Sequence, residues 1–357
     1  MPIRSIILAM NIPLLKVLSE VTGVPGREER VREIVQRELR GLVDEVREDA
    51  LGNLIALKRA TLKTKKTSSV RKVMLSAHMD EIGFIVKFID DKGFLRVQQL
   101  GGFDARNLFA RAVVVCTKDG DLPGILQPSG RPIHISTLED RSKNPEIRQF
   151  FVDTGLSGDE VKQKVRVGDP VGLTQTFREV GAYVAGKSLD DRASVWVLLE
   201  TLRALKGKQH SDDIYAVFSV QEEIGLRGAI VAAYSIEPDI GIGLDTTLAV
   251  DIPDVKSDES VTVTGNGVGI KVFDSSMVAT HWLVEEFASL AEKKKIKYQL
   301  EVLPLGGTDA GAIQRSRGGV ASITLSLPSR YVHTVQETVH KDDLAAELKL
   351  LVAWLTK

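Results

Sequence analysis

The chain has 357 residues, 43% of them hydrophobic, and its 47 lysines and arginines nearly cancel 48 aspartates and glutamates. That length suits one large domain or two moderate ones, and the even charge excludes the basic footprint of a nucleic-acid or anionic-membrane binder. The single cysteine, Cys116 in the apolar run AVVVC, excludes disulfides within the chain and reads as a buried, inert thiol, which fits a cytoplasmic protein.

In chain order, IRSIILAMNIPLL is too short and too interrupted for a signal peptide, and no apolar stretch approaches the length of a membrane span. The protein is expected to stay where it is made. Residues 13–40 read as two helices split by TGVPG, the second amphipathic with Val31, Ile34, Val35 and Leu39 inward. VDEVREDALGNLIAL reads as strand, with Gly52-Asn53 as a turn, and KVMLSAH at 72–78 as another strand. The basic run KRATLKTKKTSSVRK between them reads as a solvated loop. From about Ile82 to Leu173, the runs FIVKFI, FLRVQQL, RAVVVCT, PGILQP and DPVGL are short, β-like and separated by Gly, Asp and Pro. They suggest a small β-rich module inserted into a larger domain. After Lys187 helices and strands alternate: helix 190–206, DIYAVFSV, LRGAIVAAYS, IGIGLD, helix 280–294, YQLEVLP, DAGAIQRS, VASITLSLP and a closing DDLAAELKLLVAWL. Alternation of this kind predicts an α/β fold, a doubly wound mixed sheet covered by helices on both faces.

Chemistry-bearing residues gather at the ends of these strands, where open α/β sheets place their sites. His78 ends VMLSAH, Asp190-Asp191 open a helix, Glu222-Glu223 follow VFSVQ, Asp245 closes IGIGLD, and His333 follows VASITLSLP. Carboxylates at the end of a buried strand demand a cation. Two histidines with several carboxylates suit zinc, cobalt or manganese better than magnesium or calcium. VFSVQEE reads as a strand running straight into the two glutamates, so Glu222 and Glu223 point to opposite sides: one binds an ion and the other faces what the ion activates. Each residue has a plain explanation as well: Asp190 as a helix cap, Asp245 as a loop start, the glutamates paired with Arg192 or Arg227. Jointly those explanations are poor. His134, His210, His281 and His340 read as solvated or core residues, and Lys271 as a charged surface residue that would otherwise favour an acidic substrate side chain.

The strings SAHMDEIGF, SLDDR, VQEEIGLRGA, IGLDTT, GGTDAGAI and PSRYVHT resemble the tetrahedral (TET) aminopeptidases, a family that includes glutamyl aminopeptidases. The resemblance spans nearly the whole chain. It implies two divalent ions, zinc or cobalt, bridged by Asp190, with His78 and Asp245 completing one site and Glu223 and His333 the other. Glu222 is then the general base, and Asp80 accepts the distal N–H of His78. It also implies a cis Asp190–Asp191 peptide. On this basis residues 1–77 and 172–357 form a discontinuous catalytic domain. Residues 78–171 form an inserted β-rich dimerisation domain, PDZ-like or barrel-like, through which dimers build a hollow tetrahedral homododecamer. Gly306, Gly307, Thr308 and Asp309 read either as a wall of the substrate pocket or as a helix entry.

The expected activity is that of an aminopeptidase acting on peptides by metal-activated water. A second amidohydrolase chemistry on the same scaffold, carboxypeptidase or deacylase, is compatible with the same ligands. An endoglucanase, a label some relatives of the family have carried, would use paired carboxylates normally without metal and would leave the histidines without a purpose. The 5% aromatic content also argues against a sugar-stacking cleft.

Overall fold

The computed structural model of the chain describes residues 10–62 and 70–357. Residues 1–9 and 63–69, which hold part of the N-terminal segment and of the basic run read as a loop, lie outside the described residues. Helices α1 (Ile12–Glu20) and α2 (Glu29–Glu38) come first, then strands β1 (Glu45–Glu48), β2 (Leu54–Lys58) and β3 (Lys72–His78). The amphipathic pattern of α2 is realised, with Val31, Ile34 and Val35 buried.

The inserted module is a barrel, one of the two forms expected for it. Strands β4 (Gly83–Ile89), β5 (Leu95–Leu100), β6 (Arg111–Thr117), β7 (Gly120–Pro128), β8 (Phe150–Asp153) and β9 (Pro170–Leu173) close in the order β4-β5-β8-β7-β6-β9. Short helices α3 (Leu138–Ser142) and α4 (Gly158–Lys164) lie in its connections. Alternate residues such as Phe84, Val86, Val113, Val115, Phe150 and Val152 fill its interior, as the period of two requires. Cys116 is half-buried there, and burial pushes its thiol up to about 11, which keeps it inert.

The chain then returns through β10 (Arg178–Val180) and β11 (Tyr183–Gly186) to α5 (Leu189–Ala204), β12 (Asp213–Ser219), α6 (Arg227–Ile236) and β13 (Ile240–Leu248). After β14 (Val268–Asp274) and β15 (Met277–Val278) come α7 (His281–Lys294), β16 (Tyr298–Val302), α8 (Asp309–Gln314), β17 (Ala321–Arg330), β18 (Glu337–His340) and α9 (Lys341–Leu355). The main sheet runs β1-β2-β12-β3-β13-β17-β18-β11-β10, and β14, paired to β17, carries β15 and β16. Side chains split the sheet by face. Val73, Leu75 and Ala77 of β3 join the larger core with α5 and α9, while Met74 packs with Val217 and the Ala232, Ala233 and Ile236 face of α6. Strands β12, β3, β13 and β17 are parallel, so their carboxyl ends lie along one edge. That edge carries the site.

Candidate active site and metal centre

Buried strand ends bring the sequence-predicted residues together. His78 ends β3 and Asp245 lies near the end of β13. Asp190 and Asp191 start α5 with non-helical backbone, and the peptide between them is cis. Asp190 does not cap its helix. Its Oδ1 lies 3.3 Å from His78 Nε2 and its Oδ2 lies 3.5 Å from His333 Nε2. Asp245 Oδ1 is 4.0 Å from the same His78 nitrogen, and Glu223 Oε2 is 3.5 Å from the His333 nitrogen. Glu222 Oε2 lies 3.9 Å from His78 Nε2.

The glutamates differ from the sequence expectation in one respect. Strand β12 ends at Ser219, and Gln221 adopts a left-handed backbone (φ 56) before Glu222 and Glu223. The pair sits on a turn, not on an extended strand, so alternation does not separate them; the turn aims each at a different histidine. Asp80 holds this turn, its Oδ1 accepting from the Glu222 amide and its Oδ2 from the Glu223 amide, both at 3.0 Å. The distal Nδ1 of His78 lies 3.1 Å from the Asp80 carbonyl oxygen and 3.4 Å from its carboxylate. Buried Asn53 clamps both ends of the glutamate loop, accepting from the Val220 amide and donating to the Gly228 carbonyl. A Cβ at Gly228 would lie 2.3 Å from that Asn53 oxygen, so only glycine fits. Arg192 is not a partner for the glutamates, because its buried guanidinium donates to the carbonyls of Leu18, Val21, Gly23 and Met79.

Of the pocket-wall candidates, Gly306 and Gly307 line the cavity of about 480 Å³ in front of the cluster. Thr308 and Asp309 turn into the core. Thr308 Oγ1 bonds Thr324, and Asp309 accepts from Ser76 and Ser219, tying β3 to β12 beside the site. Lys271 is no surface residue: it is fully buried and paired with Glu301 at 2.6 Å. Glu337 went unnoticed in the sequence. Its carboxylate accepts from the amides of both Asp190 and His333 at 2.9 Å. From the barrel side, a Cβ at Gly102 would meet His333 Nδ1 at 3.3 Å, so the module's β5–β6 connection closes over the site.

The electrostatics call for cations. Burial pushes the Glu222 and Asp245 carboxyls well above the usual range, against the pull of His78. Burial also raises Glu223 to about 7, opposed by His333. For Asp190 burial acts the same way, but His333 and His78 outweigh it and hold its carboxyl low. Burial favours neutral imidazoles, yet Asp190 and its neighbours carry His78 well above its ordinary value and His333 to about 10. Asp190 Oδ1 is buried without a hydrogen-bonding partner, an orphan that a cation satisfies. Two groups of three, His78–Asp190–Glu223 and His78–Asp191–Asp245, place their donor atoms within 4.8 Å of one another. The nitrogen and oxygen donors fit divalent transition ions.

The model of the M42 glutamyl aminopeptidase family matches residues 52–350. The chain belongs to that family. This M42 peptidase is 35% identical over 348 residues to the lysyl aminopeptidase of Pyrococcus furiosus, covering 96% of each chain. It is 37% identical to a solved aminopeptidase from the archaeon Desulfurococcus kamchatkensis, with a TM-score of 0.89 over 97% of this chain and 94% of the other. A TET1 peptidase of Pyrococcus horikoshii, described as assembling into a tetrahedron or a large octahedral shell, is 31% identical with a TM-score of 0.85, covering 97% and 99%. The M42 peptidase is therefore a metal-dependent hydrolase of peptides, and its site chemistry agrees with that class.

Proposed function

We propose that this M42 peptidase removes N-terminal residues from peptides at a dinuclear centre held by His78, Asp190, Glu223, Asp245 and His333, with Glu222 as general base. The observation that carries the reading is the division of Asp190, one carboxylate oxygen toward His78 and the other toward His333. Two bound divalent ions, zinc or cobalt, supply an acidified water and a Lewis acid for the scissile carbonyl.

The chain's own residues do the rest. Glu222 faces the cavity and is left uncommitted when the other carboxylates are assigned to ions. It takes the water's proton and returns it to the leaving nitrogen, a contribution of about 10²–10⁴-fold. Asp80 is a positioning residue, since it holds the amides of both glutamates and so fixes which one faces which histidine. A substrate's free amino group, in its neutral form, would be a further nitrogen donor to the dinuclear centre, which supports an N-terminal over an internal cut. A free-amine tripeptide and its Nα-acetylated twin test this. We expect turnover of the first alone; equal rates would point to a deacylase or endopeptidase chemistry.

Residues 78–171 serve, on this reading, as the dimerisation module of a tetrahedral dodecamer. The exposed apolar side chains of Phe88, Ile135 and Leu138 on that module support it. The single cysteine supports work in the cytoplasm.

A further inference from the structure

The cavity in front of the cluster has a wall of one kind. Apart from the histidines and carboxylates of the site itself, its lining carries no charged side chain among the described residues. Leu226, Leu248, Leu303, Leu305 and Val332 make it apolar, with Thr247 among the few polar exceptions. A cation does stand behind that wall. Lys271 is fully buried, and its charge reaches Asp245. Its Nζ is 2.6 Å from Glu301 Oε1, and the same oxygen accepts from the Thr247 hydroxyl. Glu301 is also fully buried. The pair is one hydrogen bond behind the cavity surface and carries no net charge.

We propose that the subsite for the N-terminal side chain takes an uncharged, apolar residue of the leucine or methionine class, and that the Lys271–Glu301 pair keeps this wall electrically neutral. The inference rests on the aminopeptidase reading above. A leucine side chain leaves water for matching apolar surface. A glutamate or lysine side chain would give up its hydration against a wall that offers no opposite charge. Unpaired, Lys271 would draw an acidic side chain toward Thr247; paired, it selects nothing.

The test is a panel of leucyl, methionyl, glutamyl and lysyl p-nitroanilides with the metal-loaded enzyme, beside Nα-acetyl-leucyl p-nitroanilide. We expect kcat/KM for the leucyl and methionyl substrates to exceed that for the glutamyl and lysyl ones by about 10²-fold or more. Thermal shifts with free L-leucine, L-glutamate and L-lysine should follow the same order. Glutamyl or lysyl turnover equal to leucyl, with the acetylated substrate inert, would overturn the inference alone. Equal cleavage of the leucyl substrate and its acetylated twin would overturn the aminopeptidase reading and the inference with it. Glu301→Gln, checked for folding by circular dichroism, leaves Lys271 uncompensated and should lower the leucyl-to-glutamyl ratio about tenfold or more. An unchanged ratio in the folded variant would remove the pair from any role in specificity. The double variant Lys271→Met/Glu301→Leu restores neutrality and should keep the wild-type preference; a swing toward charged substrates would contradict the proposal.

Discussion

Glu337 touches the backbone of two residues that face the cavity without lining the cavity itself. One carboxylate oxygen holds the Asp190 amide and the other the His333 amide, so a single side chain sets the separation of the central carboxylate and the second imidazole. Partners of this kind orient ligands, and their loss typically weakens metal binding about 10–100-fold. We expect Glu337→Gln to fold and to bind its ions about 10–100-fold more weakly, read by metal titration against a competing chelator. Affinity equal to wild type would show that the amides need no such anchor. His78, Asp190, Asp245 and His333 were legible in the sequence because each is a metal-ligating type at a strand end or in the loop that follows. Glu337 was not, because a carboxylate that serves amides leaves no spacing signature. The roles of Glu222 and Glu223 were distinguished for a reason that does not hold, since the left-handed Gln221 breaks the extended chain that alternation requires.

Secondary-structure elements add their own supports. Asp309 ties β3 to β12 through Ser76 and Ser219, and Asp343, near the start of α9, accepts from the amides of Gly265 and Gly267. Burial raises the Asp343 carboxyl to about 7, with the two glycine amides opposing. A carboxyl raised in the folded state gives its full stability below its unfolded pKa, near 3.9, and loses it as pH climbs through the folded value. Asp343→Asn should therefore flatten part of the fall in melting temperature between about pH 4 and pH 7; parallel curves for variant and wild type would refute the assignment. The α/β core was readable because its parallel strands are near-continuous apolar runs such as IGIGL and ASITLSL. The strands that escaped are short or broken in pattern. Strand β8 has four residues, β18 opens with buried Glu337, and β14 carries Lys271 in its middle. Their pairing partners, distant in sequence, decide them.

At the scale of the whole molecule, the barrel is an insertion between β3 and the later half of the sheet, and its Gly101-Gly102 segment reaches back to Glu223 and His333. The module is thus part of the site's enclosure as well as the surface proposed for assembly. We expect light scattering to give a mass near twelve subunits under active conditions; monomer alone with full activity would contradict the proposed shell. The exposed apolar side chains of the barrel were visible as residues in the sequence, but their gathering on one module depended on closure of six strands. The proposed chemistry turns on Glu222. Metal content and turnover measured together on wild type, Glu222→Gln and Glu223→Ala test it most directly. We expect Glu222→Gln to keep its ions and lose about 10²–10⁴-fold in kcat, and Glu223→Ala to lose metal. Full turnover in a metal-loaded Glu222→Gln would contradict the mechanism.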